Sequence, residues 1–447
     1  MSLGCKLNQA EGDAMRHRCA AAGYELVPFE GEAEVYVINT CTVTSAADRE
    51  GRRLARAARR RAPRGGRVVL AGCSVQANRE AMRIPEADLL LGNGEKLRLA
   101  EHLARPVRGE GGLPEVRAEA LDEADTFGAG FLPAFADRTR GFLKVQDGCD
   151  FACTFCATTQ ARGRSRSLGA EACAGEALRL IAAGHREIVL TGVHLGAYGR
   201  DLSPPATLSR LVERLLRVEG LGRLRLSSVE PGELTRELIR VATRSACGAG
   251  EGAHLCRHFH IPVQSGDDGV LFAMGRNYRA AACFRRFERL AGEIPGVCLG
   301  ADFIVGFPGE TEAAFERTVE WVREAPLAYL HVFPYSPRGG TPAASLAGRP
   351  PGGELRRRVR ALQELGRRKW AAYLAGQAGT RAEVLLERGR TREGLLTGLT
   401  DNYLRAALEG PDSLRGRLLP VRLEPMPSGW RALGRAARAE CLRGVPL

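Results

Sequence analysis

The sequence predicts an α/β protein in three parts: an N-terminal α/β domain, a central partial (βα)6 barrel and a small C-terminal β-barrel. Three observations predict it. Over the first hundred residues aliphatic runs alternate with helix-like segments. From residue 141 onward, strand candidates and helices alternate through six βα units. After the basic helical stretch Glu354–Ala375, short strand-like runs broken by Gly, Asp-Asn and Pro take over. A chain of 447 residues with 44% hydrophobic content is long enough for several such cores.

In the first part, Val35-Tyr-Val-Ile-Asn-Thr-Cys41 and Val68-Val-Leu-Ala-Gly-Cys73 read as buried parallel strands, with helix-like segments over Ala10–Gly23 and Ser45–Arg61. Gly4-Cys5-Lys-Leu-Asn-Gln9 places a further Cys at a turn. Strand C-termini of such sheets share one rim, where ligands bind. Cys5, Cys41 and Cys73 therefore either converge there on a metal cluster or pack as small buried hydrophobes, the role also read for Cys19. Residues 104–140 mix Gly, Pro and charges without apolar periodicity and read as a linker.

The central strands are expected at Phe142–Gln146, Glu187–Thr191, Leu224–Ser228, His258–Val263, Leu299–Val305 and Tyr329–Pro334, with helices such as Glu176–Ala183, Leu208–Val218 and Glu312–Val322 between them. Functional residues of a parallel barrel gather at strand C-terminal ends. Those ends carry Gly192, Ser228, Glu230, Gln264, Gly266, Gly306 and Gly309. The C-terminal strands are expected at Ala382–Leu386, Arg392–Leu399, Tyr403–Glu409 and Leu418–Leu423.

The stretch Cys149-Asp-Phe-Ala-Cys153-Thr-Phe-Cys156 follows the first central strand. Three thiolates at this spacing can hold three irons of a [4Fe–4S] cluster and leave the fourth open to a chelating small molecule. A structural zinc site needs a fourth Cys or His nearby, and His185 and His194 are remote in sequence. Thirteen Cys suit a reducing compartment: the N-terminus lacks a signal-peptide apolar stretch, and no segment approaches ~18 apolar residues, so a cytoplasmic protein without membrane contact is expected. The net charge of +13 favours a polyanionic partner. The arginine-rich helix Arg49–Arg64 is either a solvated face or an RNA-backbone contact, and Tyr403 and Arg405 either pack or stack on a base and touch phosphate.

GCKLNQ, VINTCTVTSAADR, GCSVQ, the CxxxCxxC, HIPVQSG, DFIVGFPGET and HVFPYSPRGGTPA, in this order, resemble the methylthiotransferase family of radical S-adenosylmethionine (SAM) enzymes. The resemblance implies an N-terminal methylthiotransferase domain over 1–103, with an auxiliary [4Fe–4S] cluster on Cys5, Cys41 and Cys73. It implies a radical SAM core over 141–366, whose [4Fe–4S] cluster on Cys149, Cys153 and Cys156 cleaves SAM, and a TRAM RNA-binding domain over 367–435. Ser228, Glu230 and Gln264 are candidates to hydrogen-bond SAM, with Gly192 and Gly306 allowing close backbone approach; rim packing is the alternative for each. His194, His260 and His331 receive no ligand role. The implied partners are tRNA, SAM, an electron donor and a sulfur source.

The family has three substrate branches: isopentenyladenosine in tRNA, threonylcarbamoyladenosine in tRNA, and a ribosomal-protein aspartate. Lys6, Ser45-Ala-Ala-Asp-Arg49, Gly192-Val-His-Leu-Gly-Ala-Tyr-Gly-Arg-Asp201 and Leu255-Cys-Arg-His258 resemble the second. Two departures stand out. Only four residues precede Cys5, where the family carries a full first strand, and Ala157-Thr-Thr-Gln160 replaces bulkier residues after the last Cys of the motif.

Overall fold

The computed structural model describes residues 1–106, 112–118, 121, 139–247, 252–425 and 441–446. In the first part, α1 (Lys6–Ala21), β1 (Val35–Thr40), α2 (Ser45–Arg61), β2 (Arg67–Gly72), α3 (Cys73–Ala77), β3 (Leu89–Leu91) and β4 (Glu115–Arg117) build a parallel sheet in the order β1-β2-β3-β4. The strands are apolar on both faces because helices cover both. Leu54, Ala55 and Ala58 of α2 seal one face against Ile38, Val68 and Leu70; Ala14, Met15 and Cys19 of α1 seal the other against Val69 and Ala71. Cys19 is thus the packed residue expected, its thiol pushed up to about 11 by burial.

Two local findings differ from the sequence reading. Glu115–Arg117, inside the expected 104–140 linker, is the edge strand of this sheet; three residues are too short to show a period. Residues 107–111, 119–120 and 122–138 of that linker lie outside the described residues. At the other edge, Ser2 bridges Asn39 in parallel and the Met1 ammonium donates to the Val37 carbonyl at 2.9 Å. The short stretch before Cys5 therefore still runs alongside β1, through this single bridge.

The central part contains the six expected parallel strands, β5 (Arg140–Lys144), β6 (Glu187–Thr191), β7 (Arg223–Leu226), β8 (His258–Gln264), β9 (Cys298–Val305) and β10 (Tyr329–Pro334), with a two-residue strand, His254–Leu255, added beside β7. β5, β6 and β7 pair in sequence, as do β8, β9 and β10, and the bridge Ser228↔His260 joins the two halves. Between β5 and β6, α4 (Thr158–Arg162) follows the cysteine loop. One large core of Leu, Ile, Val and Phe fills the space between strands and outer helices.

The last part is a closed barrel of β11 (Arg381–Arg390), β12 (Leu396–Thr400), β13 (Arg405–Leu408), β14 (Leu418–Pro425) and β15 (Cys441–Pro446). β15 lies past the expected boundary at 435 and pairs with both β13 and β14. The helix α5 (Gly352–Gln377) runs through the expected boundary at 366, its start beside β10 and its end, through Leu374, in the small barrel's core.

The small barrel closes the floor of the large one. Arg223 and Arg225, fully buried, grip Glu187 at 2.6 and 2.7 Å and donate onward to the carbonyls of Glu383, Leu399, Thr400 and Asp401. Tyr403, at φ +68°, stacks on buried His258 with centroids 4.1 Å apart. That contact assigns Tyr403 to packing and corrects the base-stacking alternative.

Candidate active site

The loop after β5 carries Cys149, Cys153 and Cys156, each partly exposed. Gly148 makes the loop possible: at φ +71°, a Cβ there would meet the Arg164 carbonyl oxygen at 1.8 Å. The loop is then fixed by the Cys149 N–H to Gly163 O (3.1 Å), the Thr154 N–H to Met274 O (3.0 Å) and the Thr154 hydroxyl to Ala273 O (2.8 Å). Every sulfur faces an N–H donor. Phe151 N–H lies 3.4 Å from Cys149 Sγ, Thr158 N–H 3.4 Å from Cys156 Sγ, and Arg276 Nη1 3.2 Å from Cys153 Sγ. Donors of this kind stabilise thiolates. Yet burial pushes the free Cys149 thiol up to about 12 and raises Cys153 despite Arg276. The set is suited to sulfurs whose negative charge a bound cation neutralises.

Among the described residues, only His260, Asp302 and His331 bring three ligand atoms within 4.8 Å of one another. Four thiolates around one zinc at ~2.3 Å sit about 3.8 Å apart. Neither cysteine triad brings its three sulfurs within that distance of one another. The His–Asp–His group is held by its own contacts: His260 Nε2 lies 2.8 Å and His331 Nδ1 3.2 Å from Asp302 Oδ1. Burial opposes the Asp302 charge, but the two histidines outweigh it and hold the carboxyl below its usual range. His194 lies 3.6 Å from Cys149 Sγ through Nδ1 and 2.7 Å from Glu233 through Nε2, and its ring packs on Phe151 with centroids 4.2 Å apart.

The rim candidates separate into two groups. Glu230 and Ser228 follow β7, Ser228 exposed and Glu230 partly buried on the cysteine-loop side, where Arg276 donates to Glu230 Oε2 at 2.5 Å while touching Cys153. Burial pushes the Glu230 carboxyl up, and Arg276 pulls against that. Gln264, nearly buried, sits at φ +72° where a register shift ends β8. Gly192 and Gly306 each have a packing reason to lack a side chain. A Cβ on Gly192 would strike Gln146 Oε1 at 2.9 Å; one on Gly306 would strike Leu355 at 2.6 Å, and the Gly306 N–H already donates to Glu310 at 2.7 Å. Sequence reading missed Arg276, because only the fold brings the turn after residues 268–273 against a loop more than a hundred positions away.

In the first part, β1 and β2 pair Thr40 with Gly72, so the next residues, Cys41 and Cys73, emerge side by side at one rim. Cys5 enters as the N-cap of α1. Gly4, at φ +84°, has Cys41 Sγ 2.4 Å from where a Cβ would stand, so only Gly lets the segment approach. Cys41 and Cys73 are buried, while Cys5 keeps an exposed edge. Burial pushes Cys41 up to about 12, and Cys73 and Cys5 lie near enough that their negative charge would raise it further.

One helix pair links the two triads. α3, which starts with Cys73, packs on α4, which starts two residues after Cys156. Asn93 Nδ2 reaches Cys73 Sγ at 3.5 Å and the Ala161 carbonyl at 2.6 Å. Arg338, from the loop after β10, donates to Thr42 Oγ1 at 2.6 Å and pairs with Asp48. The N-terminal rim is thereby clamped over the mouth of the large barrel.

Comparison with known proteins agrees with this layout. The family described as Uncharacterized protein family UPF0004 matches residues 1–92, and the Radical SAM superfamily matches residues 143–322. The Threonylcarbamoyladenosine tRNA methylthiotransferase MtaB of Bacillus subtilis is 36% identical over 432 residues, covering 94% of this chain and 92% of the relative. Its namesake from Thermotoga maritima is 34% identical, covering 92% and 90%. The tRNA-2-methylthio-N(6)-dimethylallyladenosine synthase of Moorella thermoacetica is 34% identical, covering 95% and 94%. With both domains matched and this identity along nearly its whole length, the chain belongs to the methylthiotransferase family of radical S-adenosylmethionine enzymes.

Proposed function

We propose that this enzyme replaces the C2 hydrogen of threonylcarbamoyladenosine, next to the anticodon of tRNA, with a methylthio group. The observation that carries the reading is the juxtaposition of two cysteine triads across the α3/α4 pair, because the reaction needs a radical generator and a sulfur supplier within reach of one carbon. In this reading Cys149, Cys153 and Cys156 hold the [4Fe–4S] cluster that supplies the electron for SAM cleavage, and Cys5, Cys41 and Cys73 hold the auxiliary cluster that handles sulfur.

The chain's own residues bind, orient and shield. Arg276 fixes Glu230 beside the cysteine loop, where the carboxylate can accept from the amino group of SAM. Ser228 and Gln264 offer further polar atoms on the same rim. Gly192 and Gly306 serve the reading by shaping the loops that carry them. His194 packs on Phe151 beside Cys149 and walls one side of the loop against water. The exposed arginines of the small barrel, Arg381, Arg405, Arg415, Arg417 and Arg422, suit phosphate contacts as a TRAM domain would make them. An electron donor and a sulfur source complete the reaction, which we place in the cytoplasm; no helix among the described residues is long and apolar enough to cross a membrane.

Nucleoside mass spectrometry of tRNA from cells with and without the gene tests this. Loss of 2-methylthio-threonylcarbamoyladenosine, with the unmethylthiolated nucleoside accumulating, is expected. Loss of the methylthio derivative of the isopentenyl-type nucleoside instead would favour the second reading, which the Moorella relative supports at nearly equal identity.

A further inference from the structure

Where the first domain meets the large barrel, five charged side chains lie together out of water. Glu11 of α1 and Lys96 come from the first domain; Lys144 of β5, Asp147 and Arg162 of α4 come from the second. All are between 1% and 6% exposed. Arg162 clamps Glu11 with both terminal nitrogens at 2.8 Å and reaches Asp147 at 3.1 Å; Lys144 spans Glu11 (2.8 Å) and Asp147 (2.5 Å); Lys96 meets Glu11 at 2.5 Å.

The hydrogen bonds are satisfied, but the charges are not. Two carboxylates face three cations, leaving one positive charge in a region where an unbalanced charge is costly. The balance lies next door. Asn93 ties Cys73 Sγ to the carbonyl of Ala161, the residue before Arg162. Cys73 is also the strongest negative influence on Arg162, and one of those that favour the charged form of Lys96 against its burial. Three thiolates around a [4Fe–4S]2+ core carry a net charge of about −1, which matches the surplus.

We infer that the Glu11–Lys96–Lys144–Asp147–Arg162 network is the electrostatic counterpart of an auxiliary cluster on Cys5, Cys41 and Cys73, with Arg162 the positioning residue that sets its charge balance across the domain interface. The inference rests on the proposed cluster assignment. Arg162 is proposed to act through its charge near Cys73, to which Asn93 ties the neighbouring Ala161 carbonyl, and through the domain contact it closes.

The experiment uses the full chain with Cys149, Cys153 and Cys156 replaced by Ala, so that one cluster remains, and follows iron content and an EPR-monitored redox titration. If this background holds no cluster, the cluster assignment fails and the network is not at issue. If it does, Arg162→Gln removes a positive charge and is expected to lower the midpoint potential. Glu11→Gln removes a negative charge from the same network and is expected to raise it, while Arg162→Lys stays near the parent. Both neutral variants break comparable hydrogen bonds, so a merely structural role predicts shifts of one sign or none. Should Arg162→Gln fail to retain iron, Glu11→Gln alone decides by the sign of its shift. Equal potentials across the set, or shifts in one direction for both neutral variants, would overturn the inference.

Discussion

Cys149, Cys153 and Cys156 lie in a single loop, whereas Cys5, Cys41 and Cys73 come from a helix start, a strand end and the start of a second helix. The first triad is shaped within its own loop by Gly148 and the bond to Gly163, and the loop is then anchored to Met274 across the barrel. The second exists only when β1 and β2 pair in register, Thr40 against Gly72, and when Gly4 brings Cys5 against Cys41. A one-residue slip would move Cys41 away from Cys73 and exchange the β1 residues that α1 and α2 cover. One site is therefore written into spacing and the other into topology.

The comparison predicts separable losses. The largest is expected from replacing Cys149, Cys153 and Cys156 with Ala: formation of 5′-deoxyadenosine should vanish in an anaerobic assay, since these are the proposed ligands of the cluster that starts the chemistry. Persistent cleavage would break the assignment. Next, Cys41→Ala should spare reductive cleavage of SAM yet stop methylthiolation of tRNA; unchanged methylthio product by mass spectrometry would refute the proposed division of roles.

A third test leaves both triads intact and attacks the platform beneath them. Glu187→Gln strands Arg223 and Arg225 in the buried floor and should cost about 3–5 kcal/mol in denaturant unfolding. Burial works against the Glu187 charge, but the arginines outweigh it and hold its carboxyl far below the usual range. Its stabilising effect is thus fully present above about pH 4, the ordinary carboxylate range, and is lost as pH falls through the depressed native value. The wild type should lose this increment in acid, and the Gln variant should show no corresponding loss.

The smallest effect concerns recruitment. Replacing Arg381, Arg405 and Arg422 with Ala should weaken tRNA binding and reduce the salt slope by roughly 0.7–0.9 per lost phosphate contact, without touching SAM cleavage. An undiminished slope would move attention to Arg60, Arg61 and Arg64, which are exposed at the end of α2 and just beyond it. Substitution is a cleaner test than cutting the chain near Leu374, because truncation would uncover Arg223, Arg225 and the face of His258.

Much of this arrangement is legible in the sequence, and the exceptions share a physical cause. The six central strands follow from apolar runs at βα spacing, and the cysteine loop from three closely spaced residues. Glu115–Arg117 and Cys441–Pro446 were not legible because a short edge strand and a closing strand take their identity from partners already in place. Arg276, Arg338 and Arg162 escaped for the same reason: each acts through a group brought near by the fold, and an Arg in a basic chain carries no local mark of that. Gly306 shows a packing reason the sequence hides: at this rim glycine's open side is filled by Leu355.

Counting iron and acid-labile sulfide, with Mössbauer spectra on anaerobic protein, decides whether two clusters sit on the two triads. The wild type should hold two [4Fe–4S] clusters, and Ala replacement of either triad should leave about half the iron as one intact cluster. A variant that keeps the wild-type iron content, or loses both clusters when only Cys149, Cys153 and Cys156 are removed, would contradict the two-cluster assignment.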